Sequence, residues 1–179
     1  MRRLAVLILV IISGLFTACS EKESKMEEPD ELLPVINGYF ARNEAGESMG
    51  IIGNMNPNVN LGTNTNLVDS DYFITFFPNP AINFASVYMK SPGQDEIKKI
   101  WIVPAVFDPE YEPSDDETYE PEINILNEIA VLQTETTMHT VFFDLTELQS
   151  GYYRIYVEVA EYILYDNIVI DKDFNPTGK

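Results

Sequence analysis

One cysteine, one histidine and one tryptophan are spread over 179 residues. A lone cysteine permits no intrachain disulfide, and with a single histidine the set of soft ligands is too small for a Cys/His zinc site. Most catalytic constellations built on thiolate or imidazole go with them. Basic residues are also scarce: 11 Lys and Arg face 29 Asp and Glu, a net charge of -18. Phosphate backbones and anionic lipid heads are repelled by such a chain, and nucleic acid is not among its expected partners. Long stretches with a 3.6-residue apolar period are rare, so few helices are expected. No internal repeat of solenoid length is visible. What is abundant is apolar: 45% of the residues are hydrophobic and 12% aromatic, a globular composition sufficient for one core.

The N-terminus reads as an address. Arg2 and Arg3 precede an apolar run from Leu4 to Ile12, and the small residues Thr17 and Ala18 lead to Cys19. A positive n-region, a short h-region and a small residue at the cut are the parts of an export signal. The run is too short to span a bilayer as a helix, which takes roughly 20 apolar residues. Leu15-Phe16-Thr17-Ala18-Cys19 resembles the lipobox of bacterial lipoproteins. That resemblance implies cleavage before Cys19, a diacylated sulfur and an acylated amine, with palmitate-type chains holding the protein to a membrane. Acyl chains contribute about 0.8 kcal/mol per buried CH2, so several together make a stable anchor. Ser20 after the cysteine resembles the sorting signal for the outer membrane. The polar stretch Ser20–Glu31 has no apolar stripe and is expected to be a flexible acidic tether.

From Leu33 onward, short runs rich in Val, Ile, Phe and Tyr alternate with Gly, Pro, Asn and Asp, the pattern of strands and turns. The expected strands are Val35–Phe40, Met49–Ile52, Tyr72–Phe77, Phe84–Met89, Lys98–Val103, Ile123–Leu132, Met138–Asp144, Tyr152–Glu158 and Tyr162–Ile170. The sixth has a second reading, because Ile125, Leu126, Ile129 and Leu132 also form a helical stripe. In the eighth, Tyr153, Ile155 and Val157 point to one face, expected to be core; Tyr152, Arg154, Tyr156 and Glu158 share the other, expected to be wet. Nine short strands at this spacing predict an all-β fold, an antiparallel β-sandwich of immunoglobulin-like type, behind a signal peptide and tether.

Phe77-Pro78-Asn79-Pro80-Ala81 leading into Phe84–Met89, together with Asp144-Leu145-Thr146-Glu147-Leu148-Gln149-Ser150-Gly151-Tyr152-Tyr153-Arg154-Ile155-Tyr156-Val157, resembles the C-terminal sorting domain of type IX secretion cargo in Bacteroidota. The likeness covers Tyr72 to Lys172 and implies a β-sandwich and a Bacteroidota-like source. Pro78 and Pro80 restrict the chain ahead of a strand and supply no amide donors, and Gly151 is expected to provide a positive φ at a turn. The chain then divides into a lipoprotein signal (1–18), a flexible acidic tether (19–31), N-terminal strands with an Asn-rich loop packed on the sandwich (32–71), the sandwich core (72–172) and a tail (173–179).

Candidate sites follow from residue chemistry. Residues 108–122 hold eight acids and three prolines; Asp115, Asp116 and Glu117 are candidate oxygen ligands for calcium, a hard cation, against the alternative of a solvated acidic loop. Asn54, Asn56, Asn58, Asn60, Asn64 and Asn66 carry amides able to recognise sugar hydroxyls or, more simply, to build turns. Tyr152 and Tyr156, as outward tyrosines, are the first choice for a ligand-binding surface, and Trp101 is expected in core packing. His139 is the only imidazole, and no Gly-x-Ser-x-Gly motif accompanies it; it is expected to be an ordinary strand residue. The chain is therefore expected to be no enzyme and to need no cofactor. The reading is an outer-membrane lipoprotein, periplasmic or surface-facing, acting as a binding or accessory module for an envelope protein or a glycan. The alternatives are a structural subunit of an outer-membrane complex and type IX cargo.

Overall fold

In a computed structural model of the chain, residues 33–64, 66, 68, 70–113 and 123–175 are described, all within a compact unit from Leu32 to Lys179. The expected signal and tether with Cys19, the calcium candidates Asp115, Asp116 and Glu117, and residues 176–179 lie outside the described residues.

The fold is an all-β antiparallel sandwich. Its larger sheet is ordered β11 (Tyr162–Ile170), β10 (Gly151–Val159), β6 (Lys98–Pro104), β8 (Leu132–Thr136). The smaller sheet is ordered β4 (Phe73–Phe77), β5 (Phe84–Lys90), β9 (Thr140–Asp144). Every pairing within these two sheets is antiparallel. Period-two alternation sends Ile100, Ile102, Ile155, Val157, Leu164 and Ile168 of the larger sheet into one buried cluster with Ile74, Phe76, Val87 and Met89 of the smaller. Burial of a branched or aromatic side chain contributes about 1.5–3 kcal/mol, and this shared inner face is the main store of stability. The tight β10–β11 hairpin turns at Ala160, whose φ is 53°, so that Val159 pairs with Tyr162. Gly151 does not have the positive φ expected of it. It begins β10 opposite Ile170 as ordinary strand, and the sharp turn lies at the other end of the strand.

The segment Ile123–Leu132 resolves in favour of its helical reading. Ile123–Ile129 is a helix, α1, and the sixth expected strand begins only at Leu132, as β8. Helix α1 packs Leu126 against Trp101, Val103 and Tyr156 on the outer face of the larger sheet, and Asn127 Oδ1 accepts a 2.9 Å hydrogen bond from Trp101 Nε1. The face expected to be wet is therefore covered, and Tyr156 is 0% exposed.

Residues 33–63 wrap the side of the sandwich formed by β4 and β11. Strands β1 (Val35–Ile36) and β7 (Val106–Phe107) form a short parallel pair, while β2 (Gly38–Arg42) and β3 (Ser48–Gly53) form a hairpin. An uncovered edge strand offers its backbone to any passing chain, and two edges here are covered by the protein itself. Asn60 exchanges backbone bonds of 2.9 and 2.7 Å with Tyr165 of β11, and Ala81 bridges Val169 and Asp171 at 2.8 Å each. Ile74 of β4 donates to Leu61 at 2.8 Å. Side-chain amides complete the attachment. Asn58 and Asn37 exchange bonds between backbone N–H and side-chain oxygen. The buried Arg154 donates Nη2 to the carbonyls of Val35 and Asn58, and Nε to Asn167 Oδ1. The Asn-rich stretch is thus turn and staple chemistry: Asn54 Oδ1 caps Asn56 N–H, and Asn60 Nδ2 reaches the Ile163 carbonyl.

Candidate functional site: an apolar cleft beside the Pro78–Pro80 segment

The β2–β3 hairpin turns through Asn43–Glu47 because one asparagine organises the loop. Asn43 Oδ1 accepts the N–H groups of Ala45 and Glu47 at 2.9 and 3.0 Å, and its Nδ2 donates to Glu47 Oε2 at 2.7 Å. Gly46, at φ +78°, rests on the ring of Phe77, where an added Cβ would lie 3.4 Å from the ring. The turn is thereby seated on the last residue of β4, immediately before the proline segment.

That segment is fixed from the other side by Asn79. Both Phe77-Pro78 and Asn79-Pro80 are cis, and Asn79 is wholly buried. Its Nδ2 donates to the carbonyls of Phe40 and Asn167 at 2.9 and 3.0 Å, its Oδ1 accepts Val169 N–H at 2.9 Å, and its backbone pairs with Arg42 in both directions. All of its side-chain polar atoms are engaged, as burial demands. The hairpin, the proline segment and β11 meet at this amide.

An ion pair locks the same junction. Arg42 Nη1 lies 2.7 Å from Asp166 Oδ2, with side chains 7% and 0% exposed, and donates as well to the Phe76 carbonyl at 3.1 Å. Burial pushes the Asp166 carboxyl above its ordinary value; the Arg42 guanidinium and the Phe76 and Asn167 N–H groups oppose that shift without cancelling it.

Between hairpin and proline segment opens a cleft of about 440 Å³, within the size range of small-molecule and side-chain pockets. Ala45, Met49, Pro78, Pro80, Ile82 and Phe174 supply its apolar lining, and Arg42, Asn43, Glu44 and Asn79 its polar part. Arg42, Asn43 and Asn79 are committed to internal bonds. The cleft therefore offers a solvated apolar surface with an acid at its margin, suited to an apolar side chain rather than to a polyhydroxyl ligand.

The residues singled out in the sequence lie elsewhere. Tyr152 is 37% exposed and stacks on Phe107 at 4.5 Å and 11°, so its ring already has a partner on one face. Tyr156 is a correction: it is buried under α1 and against Tyr165 and presents no surface to a ligand. His139 Nδ1 is 2.8 Å from the Met89 carbonyl, which makes that nitrogen the donor of a link between β5 and the start of β9. Trp101 is buried as expected. No group of three or more His, Cys, Asp or Glu is placed to hold a metal among the described residues, and none of their helices is long and apolar enough to cross a membrane.

Sequence reasoning missed Arg42, Asn79 and Asp166. Asn79 had a signal, since an asparagine held between two prolines ahead of a strand has a constrained backbone from which to bond its neighbours. Arg42 and Asp166 lie 124 positions apart, and no local pattern joins them.

Comparison with known proteins adds little to this geometry. No family model matches the sequence, and no curated protein does. Among solved structures, the chain is similar to the crystal structure of the PmoD soluble domain from Methylocystis sp. ATCC 49242 (Rockwell), at 13% identity and a TM-score of 0.36, over 56% of this chain and 90% of that one.

Proposed function

We propose that this chain is an outer-membrane lipoprotein of a Bacteroidota-like envelope, anchored by acyl chains on Cys19, whose β-sandwich binds an envelope protein without performing chemistry. The observation that carries the binding part is the apolar cleft at the Pro78–Pro80 segment. A protein side chain suits it better than a glycan, because sugar recognition needs free amides and hydroxyls, and Asn58, Asn60 and Asn79 spend theirs on the protein's own backbone. The anchor is supported by the charged start, the apolar run Leu4–Ile12 and the small residues ahead of Cys19. Long-range electrostatics would not hold so acidic a body at an anionic surface, which leaves the acyl chains to do so.

The test has two arms. Cys19→Ala releases the protein from the membrane fraction and abolishes palmitate labelling; unchanged fractionation refutes the anchor. Met49→Glu places a charge at the cleft lining on a residue that is 69% exposed, and capture of the envelope partner by the full chain then falls while the circular dichroism spectrum stays the same. Unaltered capture, or retention on a glycan array in place of a protein, refutes the cleft as the binding surface. An intact mass ending short of Lys179 would replace this reading with that of type IX cargo.

A further inference from the structure

We propose that strand β3 is a docking edge that takes an extended, basic-flanked peptide segment of a partner protein as an added strand, with one apolar side chain of that segment seated in the cleft. The inference rests on the binding-module reading and names the chemistry of its partner.

Three observations carry it. The first is a contrast among edges. The protein covers β11 with Asn60 and Ala81, and β4 with Leu61. β8 and β9 retain a charged guard within the strand, Glu135 and Asp144 respectively, which is how natural sheets discourage foreign pairing. β3 is neither covered nor charged; a bulge at Met49, where Ser48 and Gly50 oppose Arg42 and Ala41, bends its first half, and residues 50–53 pair regularly with β2. The β3 sequence Ser48-Met49-Gly50-Ile51-Ile52-Gly53 carries no charge, and among the described residues its only backbone partner is β2. Met49 is 69% and Ile52 49% exposed.

The second is the phase of the hairpin ladder. Asn54 N–H donates to the Asn37 carbonyl across the Gly38–Gly53 pair, which marks that pair as the non-hydrogen-bonded kind. By alternation Ile52 exchanges bonds with Tyr39, and Ile51, opposite Phe40, turns its N–H and C=O toward the open edge. Met49, the bulged residue that lines the cleft, immediately precedes the regularly paired stretch 50–53, so the open edge begins beside the cleft. An incoming strand would gain main-chain bonds at Ile51 and a pocket for one of its side chains, the two components of strand-addition recognition.

The third is charge. Glu44 and Glu47 stand at the hairpin turn, and Asp171 and Asp173 flank the approach to Phe174. The nearby cations are already engaged: Arg42 pairs with Asp166, and Lys172 Nζ donates to Asn83 Oδ1 and the Leu145 carbonyl. Among the described residues, four acids against the one remaining cation, Lys172, leave the margin of the edge net acidic. A second copy of this chain, with a net charge of -18, is repelled from it, while a segment carrying Lys or Arg beside its apolar core is attracted.

The probe is a synthetic peptide of alternating valine and threonine with arginines at both ends, binding to the detergent-solubilised full chain and read by fluorescence anisotropy. Binding is expected to weaken about tenfold or more, equivalent to 1.4 kcal/mol, when alternate peptide amides are N-methylated. A comparable loss is expected when the arginines are replaced by glutamates, and the difference between the two flanks shrinks as salt is raised. Ile52→Glu in the protein, at an exposed position, weakens the unmodified peptide without altering the fold. Equal affinity of the N-methylated peptide, or no binding of any peptide while Met49→Glu still reduces partner capture, overturns strand addition and leaves the cleft as a side-chain pocket. Loss of neither peptide binding nor partner capture in Met49→Glu overturns the cleft reading itself.

Discussion

The pair Arg42–Asp166 joins the hairpin that walls the cleft to the body of the sandwich, and its removal should be felt in both. Its atoms are 2.7 Å apart and its side chains 7% and 0% exposed, so neither charge can recover water when the other is deleted. Truncating one member of a buried pair costs about 3–5 kcal/mol, whereas replacing both by apolar residues of similar volume is often neutral or stabilising. Against a typical domain stability of about 5–15 kcal/mol, the single loss is a large fraction. Four proteins make the test: wild type, Arg42→Met, Asp166→Leu and the double variant, compared by urea unfolding followed through Trp101 fluorescence. Each single variant is expected to lose about 3–5 kcal/mol and the double variant much less than their sum, a coupling well beyond what separated sites show. The pH dependence has a definite sign. The folded-state pKa of Asp166 is raised by burial, so the contribution of this carboxyl is complete below its unfolded value, about 3.9, and is lost as pH rises through the folded value. The stability difference between wild type and Asp166→Asn therefore moves against the wild type as pH increases across that window. Additive single losses, or a difference that is flat with pH, would refute the account of a desolvated pair.

Other perturbations test other joints. Asn79→Ala strands the Phe40 and Asn167 carbonyls and the Val169 N–H, each unsatisfied group costing about 1–3 kcal/mol, so thermal unfolding should fall sharply and amide exchange at Val169 should accelerate. Ala160→Gly removes a non-glycine residue from φ 53° and is expected to stabilise by about 1 kcal/mol, read as a higher urea midpoint with unchanged slope. Thr146 holds the Asp144 carboxyl below its ordinary value through bonds from its hydroxyl and its N–H. The stability this contributes is present above the unfolded pKa and is lost as pH falls through the folded one; Thr146→Val, followed by NMR titration, should bring the Asp144 pKa up toward the ordinary value.

Most of the architecture is written in local pattern, and the exceptions share a cause. The inner face of β10 was legible because Tyr153, Ile155 and Val157 alternate with polar neighbours and do enter the core. The same alternation failed for Tyr156. Alternation reports which face a side chain takes, but not what a segment distant in sequence lays over that face. α1 covers Tyr156, and α1 is a segment whose apolar residues fit two periods. Once Ile123–Ile129 is helical, its side chains need an apolar surface to cover, and Trp101, Val103 and Tyr156 supply it. The secondary-structure ambiguity and the misplaced tyrosine are thus one error. The cleft was illegible for a related reason: its lining combines residues 41–45, 49, 78–80, 82 and 174, and the hairpin meets the proline segment through Asn79 and Arg42, which bond each other's backbone and β11. β3 differs from both. An uncharged run between glycines reads in sequence as an ordinary strand, and only the covering of β11 and β4 and the charges within β8 and β9 show that this one has been left apolar and open. Leaving such an edge bare risks aggregation, a cost that is offset when a partner occupies it.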